Sequence, residues 1–196
     1  MPSDAIPGAF ETSRHLMDSA ARLSLKNVVL ERLLGLFNGA LEVVRLYNDI
    51  LDIAMNAVPC EAASIFIAGK KGDLTVTAAR GKVGDKLVGL TLKRGQGIAG
   101  ACLTDRRMIP VSDVKSDPRH AAEVASRLGF ETRSLLAAPI VVHGSALGVI
   151  EIINKLGNNQ FQRHDLDLMD RVCRTAGDVL SLVPATGRPK GGGKKA

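Results

Sequence analysis

Apolar and polar positions along this chain follow two different periods, and the change of period near residue 59 separates helical sequence from sheet-forming sequence. In "LEVVRLYNDILDIAMNAV", apolar residues recur at Val43/Val44, Leu46/Tyr47, Ile50/Leu51, Ala54 and Ala57/Val58. This i, i+3, i+4, i+7 spacing lines one side of a helix, and Pro59 ends it because its ring clashes with the preceding turn and it has no amide proton. Upstream, "DSAARLSLKNVVLERLLGLF" sets Leu23, Val28, Leu30, Leu33, Leu34 and Phe37 among charges. That predicts a second helix with one apolar side, broken at Asn38-Gly39 and in need of a partner.

Beyond Pro59 the period shortens. "ASIFIAG" and "LTVTAAR", joined by Lys70-Lys71-Gly72-Asp73, read as an antiparallel hairpin of β-branched strands. "GKVGDKLVGLTLKRGQG" holds one strand-like run, Leu87 to Leu92, and "GQGIAGACLTD" reads as a short helix opened by glycines. "MIPVSDV", short and interrupted by Pro110, suits only an edge strand. "DPRHAAEVASRLGF" predicts a helix with Asp117 at its N-cap, Pro118 in the first turn and Gly129 after the last. "RSLLAAPIVV" and "ALGVIEIIN" flank His143-Gly144-Ser145 as a second hairpin whose nearly continuous apolar runs imply burial on both faces. A last helix, Asp165 to about Leu182, carries Leu168, Met169, Val172, Cys173, Ala176, Val179 and Leu180 as a stripe. Hairpin connections dominate, so an α+β fold with a mostly antiparallel sheet packed by helices is expected.

Composition narrows the class. A 196-residue chain that is 45% hydrophobic is ordinary for a globular protein. Its longest apolar runs fall well short of the roughly 20 residues that span a bilayer, and "MPSDAIPGAFETSR" lacks a basic-then-apolar leader pattern. The expectation is therefore a cytoplasmic protein without membrane association. The formal charge is +6, but the tail "ATGRPKGGGKKA" supplies four positive charges, leaving 6 − 4 = +2 for the rest. With one Tyr, no Trp and no basic stripe, no nucleic-acid partner is expected. Residues 1–13 are read as a flexible lead-in, 14–40 as a dimerising helix, 41–183 as the domain and 184–196 as a disordered tail.

The candidate chemistry is sparse. Cys60, Cys102 and Cys173 are odd in number and widely spaced, which suits reduced, packed thiols rather than a disulfide or zinc framework. His15, His120, His143 and His164 show no metal-ligand spacing, so no metal is expected. "RGQGIAG" lacks the Lys-Ser/Thr of a phosphate loop.

Taken in order, "RGQGIAGACLTDRRMIPVSDVKSDPRH", "GFETRSLLAAPI" and "GVIEIINKLGNNQFQRHD" resemble a GAF domain over about residues 43–182. The resemblance is to the small-molecule-binding GAF domains of cyclic nucleotide phosphodiesterases and bacterial adenylyl cyclases. It implies a central six-stranded antiparallel sheet flanked by helices on both faces, with a pocket on one face beneath loops and short helices. Asn154, Lys155, Phe161 and Asp165 match the N-K…F-x-x-x-D-E signature of the family, with Leu166 in place of Glu. The resemblance assigns them to a structural brace in which Lys155 and Asp165 pair. An acid at a helix N-terminus is also favoured by the unpaired amides there.

The same resemblance implies a ligand-binding set of Ser64, Arg80, Ile98, Ala99, His120, Thr132 and Glu151. Arg80 stands where the family has an acid that helps fix a purine, and Ala121, Ala125 and Leu128 replace its polar or aromatic positions. A cyclic nucleotide or another small anionic ligand is the implied occupant, with no further cofactor. Glu151 is the most telling position, since a carboxylate in an apolar strand must reach solvent, find a partner or face a polar cavity. Three functions stay open: a non-catalytic sensory homodimer that signals to a downstream protein, an interaction module with an occluded pocket, and a free methionine sulfoxide reductase working through Cys102.

Overall fold

A computed structural model describes residues 40–82, 84–119, 129–157 and 160–183 of the chain. Its elements run α1 (Ala40–Ala57), β1 (Cys60–Ala68), β2 (Leu74–Arg80), α2 (Gly84–Leu87), β3 (Thr91–Leu92), α3 (Gly97–Asp105), β4 (Ile109–Val111), a 3₁₀ turn at Val114–Ser116, β5 (Leu135–Val142), β6 (Ser145–Lys155) and α4 (Arg163–Leu182). The strands form one six-stranded sheet in the order β3-β2-β1-β6-β5-β4, with every neighbouring pair antiparallel. The two hairpins supply the four central strands, and β1 and β6 meet in the middle.

Side chains alternate across the sheet, so the central strands give one set of residues to each face. On one face Ile65, Leu136, Ile140, Ile150 and Ile152 are fully buried, as are Tyr47, Leu51 and Ala54 from α1 and Met169 and Ala176 from α4. Each buried Ile or Leu there contributes about 2 kcal/mol. On the other face Ala62, Phe66, Leu135, Ala137, Val149 and Ile153 pack with Ile98, Ala99 and Cys102 of α3. Helices thus cover both faces, as the near-continuous apolar strands require.

Close strand contact depends on particular residues. A Cβ on Gly148 would lie 2.1 Å from the Phe66 carbonyl oxygen, so only glycine fits where β6 crosses β1. In β2, Thr77 is the extra residue of a bulge, and its hydroxyl donates to the Ile65 carbonyl at 3.2 Å. The β5–β6 turn places His143 and Gly144 at φ 47° and 78°, the two left-handed positions that match the twist of a tight hairpin.

Two sequence expectations change in detail. The run Leu87 to Leu92 is not one strand: Gly84–Leu87 turns helically and only Thr91–Leu92 is β3. The break falls at Gly89 (φ 89°), whose amide donates to the Val76 carbonyl at 2.8 Å. The last helix begins at Arg163, with Gln162 as its cap and Asp165 in the third helical position. Residues 120–128, read as a helix from sequence, lie outside the described residues, as do the expected helix at 14–40, the lead-in and the tail. Asp117 does cap its own turn, accepting the Arg119 amide proton at 2.9 Å.

Candidate functional site

The α3 face of the sheet brings together most of the residues singled out from sequence. Ser64 on β1 stands directly opposite Glu151 on β6, and Ala137 on β5 flanks Glu151 on the other side. Side chains paired in this way lie about 5 Å apart. Ile98, Ala99 and Cys102 of α3 pack against this same face, all buried.

Local sequence explains why α3 sits so low over the sheet. Gly95 and Gly97 take φ of 74° and 73°, and the Gln96 side chain between them accepts the Lys93 amide proton at 2.9 Å. A Cβ on Gly100 would meet the Gly95 carbonyl carbon at 2.6 Å, so the loop folds flush against the helix start.

Glu151 is 9% exposed, and burial pushes its carboxyl up to about 7. Ser64 is 1% exposed. Among the described residues, neither side chain has a hydrogen bond or an ion-pair partner. These two polar groups therefore stand side by side in otherwise apolar surroundings, where the charged form of the carboxyl is disfavoured by its loss of water.

Thr132, half-buried, belongs to the segment 131–134, to which one side chain makes three hydrogen bonds. The Asn154 carbonyl accepts the amide protons of Arg133 (2.7 Å) and Ser134 (3.3 Å), and its amide donates to the Glu131 carbonyl and to Glu61 Oε2, both at 2.8 Å. Asn154 is fully buried at φ 56°, a left-handed conformation that Asn tolerates better than most side chains. Arg133 also pairs with Glu61, and the Asn154 hydrogen bond, followed by the Arg133 contact, holds the Glu61 carboxyl below its usual range.

The other signature residues lie just beyond. Lys155 Nζ reaches Asp165 Oδ2 at 2.5 Å, with both side chains largely buried. The same oxygen accepts the Gln162 amide proton at 2.7 Å in a capping box, and His164 Nε2 lies 3.2 Å from the other oxygen. Phe161, just before the Gln162 cap, is half-buried. These groups join the end of β6 to the start of α4 and do not reach the Ser64–Glu151 pair.

Arg80 is a correction. It pairs with Ala63 across the sheet and so faces α1, where its guanidinium donates to both Asp52 oxygens (2.7 and 3.0 Å) and to Asn48 Oδ1 (2.6 Å). Strand alternation puts it on the face opposite Glu151, where it clamps β2 to α1. His120 lies outside the described residues.

The thiols are buried and unpaired. Burial, then the nearby Glu151 and Asp105 charges, pushes Cys102 up to about 12, and Cys60 is raised to about 11. Cys173, raised by burial, sits on α4 against the Ala138 carbonyl at 3.7 Å, on the other face of the sheet from Cys102. Among the described residues no group of three His, Cys, Asp or Glu could hold a metal ion, and no helix is long and apolar enough to cross a membrane.

Two features of the site escaped sequence reading. The Glu61–Arg133–Asn154 network joins residues up to 93 positions apart and leaves no local signal. Ala137 is hidden in a continuous apolar run, where only the strand register reveals that it lies next to Glu151.

An antiparallel sheet with helices on both faces, carrying a polar pair beneath a glycine-opened helix, defines the architecture of an α+β domain. The GAF domain family model matches residues 42–180, and the chain belongs to that family. Such domains are commonly regulatory modules that bind small molecules. A probable 3',5'-cyclic phosphodiesterase of Caenorhabditis elegans is 23% identical over 164 residues, covering 77% of this chain and 22% of that protein. The cGMP-specific 3',5'-cyclic phosphodiesterase of Drosophila melanogaster is 34% identical over 79 residues, covering 39% of this chain and 7% of that protein. The chain thus spans less than a quarter of the length of these relatives. Among solved structures, the GAF domain of a phosphoenolpyruvate-protein phosphotransferase from Coxiella burnetii superposes with a TM-score of 0.64 at 20% identity, covering 81% of this chain and 94% of that one. A free methionine-R-sulfoxide reductase from Neisseria meningitidis, in complex with its substrate, superposes at 0.61 and 16% identity, covering 84% and 90%. At these identities the superpositions speak for the fold.

Proposed function

We propose that this chain is a non-catalytic regulatory GAF domain that binds a small organic molecule between the sheet and α3. The observation that carries the reading is the unpartnered Ser64–Glu151 pair: a ligand supplying hydrogen bonds there would offset a desolvation cost that the described residues leave standing. Ile98 and Ala99 would form the roof and Thr132 a wall. Ligand closure would act on α1 and α4 only through unequal affinity for two states of the domain. The likeness to cGMP-specific phosphodiesterases makes cyclic nucleotides the first compounds to test.

Lack of catalysis is supported by the thiols. A Cys102 group raised to about 12 is almost wholly protonated near neutral pH and is a poor nucleophile. The three unpaired cysteines also favour a reducing, cytoplasmic setting. A homodimer belongs to the same reading, supported by the apolar stripe within residues 14–40 and by exposed Val44 on α1 and Leu182 on α4. The output would pass to a downstream signalling protein, without nucleic acid or membrane as partner.

A thermal-shift screen of cyclic mono- and dinucleotides, nucleotides, amines, amino acids and carboxylates tests the binding claim. A ligand at 100 times its dissociation constant adds about 2.7 kcal/mol, and the shift should vanish in Glu151→Ala. Turnover of free methionine sulfoxide that is lost in Cys102→Ala would overturn the non-catalytic claim. A monomer at micromolar concentration in ultracentrifugation, or unchanged association after removal of residues 1–40, would overturn the dimer.

A further inference from the structure

We propose that the Ser64–Glu151 end of the site is a subsite for a protonated nitrogen: a compact organic cation, such as a primary ammonium or an amidinium, docks on the Glu151 carboxylate with the Ser64 hydroxyl as second acceptor. The proposal rests on the reading that this face of the sheet takes a small molecule, and it names the chemistry of the part that reaches the floor.

The neighbours of Glu151 decide the sign of that chemistry. From β1 it faces Ser64 and from β5 Ala137, neither of which carries charge. From α3 the titratable group facing it is the Cys102 thiol, which itself feels Glu151 and Asp105 as raising influences. Among the described residues no Lys, Arg or His pairs with the carboxylate. Three cations of the described residues are committed elsewhere: Arg80 to Asp52 and Asn48, Arg133 to Glu61, and Lys155 to Asp165.

A buried carboxylate with no protein counter-charge gains most from a ligand that brings one. An anion placed there would meet a negative group, or would first have to keep it protonated. The floor beside Glu151 is also low, since Ser64, Ala62 and Ala137 are small. Small neighbours favour a flat or compact head group over a branched one.

Proton linkage separates the two signs. With the free carboxyl near 7 and the cation complex fully ionised, the competent fraction rises from about 0.09 at pH 6 to about 0.9 at pH 8. Cation affinity should therefore rise about tenfold across that interval, with about 0.9 proton released on binding at pH 6 and about 0.1 at pH 8.

The test uses the full chain and charge-inverted pairs of similar shape: benzamidine against benzoate, and cyclohexylamine against cyclohexanecarboxylate, with cyclic GMP as a third anion. Binding is measured by calorimetry at pH 6, 7 and 8. The expected result is that the two cations bind, the matched acids do not, and cation affinity increases about tenfold from pH 6 to pH 8. Glu151→Gln should abolish both binding and pH slope while still melting cooperatively, and Ser64→Ala should weaken binding about tenfold. Anion binding that falls with pH, or cation binding unchanged in Glu151→Gln, overturns the cation subsite while leaving a small-molecule site standing. If none of the probes binds, the cation subsite is overturned. If the wider screen is silent as well, the small-molecule reading falls with it.

Discussion

Replacing Asn154 with Ala removes one side chain and disconnects four groups. The Arg133 and Ser134 amides lose their acceptor, and the Glu131 carbonyl and Glu61 Oε2 lose their donor. The 3.3 Å contact to Ser134 is long and contributes least, and Glu61 is exposed enough to rehydrate. That leaves the Arg133 amide and the Glu131 carbonyl as the main orphans, at about 1–3 kcal/mol each. The backbone adds a further penalty, because Ala at φ 56° is strained by about 1 kcal/mol relative to Gly. The expected loss is about 4 kcal/mol for Asn154→Ala and about 3 kcal/mol for Asn154→Gly, an inversion of the usual ranking of these two residues. Urea unfolding followed by far-ultraviolet circular dichroism suits a chain with no Trp and one Tyr. A loss below about 1 kcal/mol for Asn154→Ala, or a Gly variant less stable than the Ala variant, would refute this account. A cycle with Glu61→Gln then isolates the Asn154–Glu61 contact.

Glu151 sets a pH dependence: its carboxyl rises from 4.5 to about 7 on folding, so the protein loses stability as pH climbs through that window, by up to about 3 kcal/mol. Glu151→Gln should match the parent near pH 4.5 and exceed it at pH 8, with a melting point higher by roughly 10 °C; equal curves would contradict the burial argument. Gly148→Ala forces a methyl to 2.1 Å from the Phe66 oxygen and should destabilise the central strand pair by more than about 2 kcal/mol, measured by the same unfolding assay. Arg80→Ala should cost about 1 kcal/mol or less, because the Asp52 side chain is half exposed, and should leave ligand affinity unchanged. Titration with an aromatic disulfide should find the three thiols slow in the folded protein and fast in urea; rapid reaction of Cys102 at neutral pH would contradict its burial.

Much of this fold is legible because burial is periodic. The α1 stripe, both hairpins and the α4 stripe each write their buried face into residue spacing, and Pro59 marks the boundary between the two periods. The brace is legible as well, since Lys155 and Asp165 are ten residues apart on a strand end and a helix start. Arg80 shows where position matching fails: one residue's place in strand alternation decides its face, and the bulge at Thr77 shifts that alternation within β2. The Glu61–Arg133 pair could not be read at all, because side-chain partners 72 residues apart are set by sheet order rather than by sequence neighbours.

Strand β6 is flanked along its length by β1 and β5 and is secured at its end by Lys155 and Asp165. Glu151 lies only four residues before that anchor, about 13 Å along the strand. In mechanical terms the floor of the site is a stiff beam, clamped on both edges and pinned at one end. A load applied at Glu151 would be carried by the hydrogen-bond ladders on both edges of the strand, and α3, joined to the sheet by side-chain packing and not by a ladder, would take up the displacement.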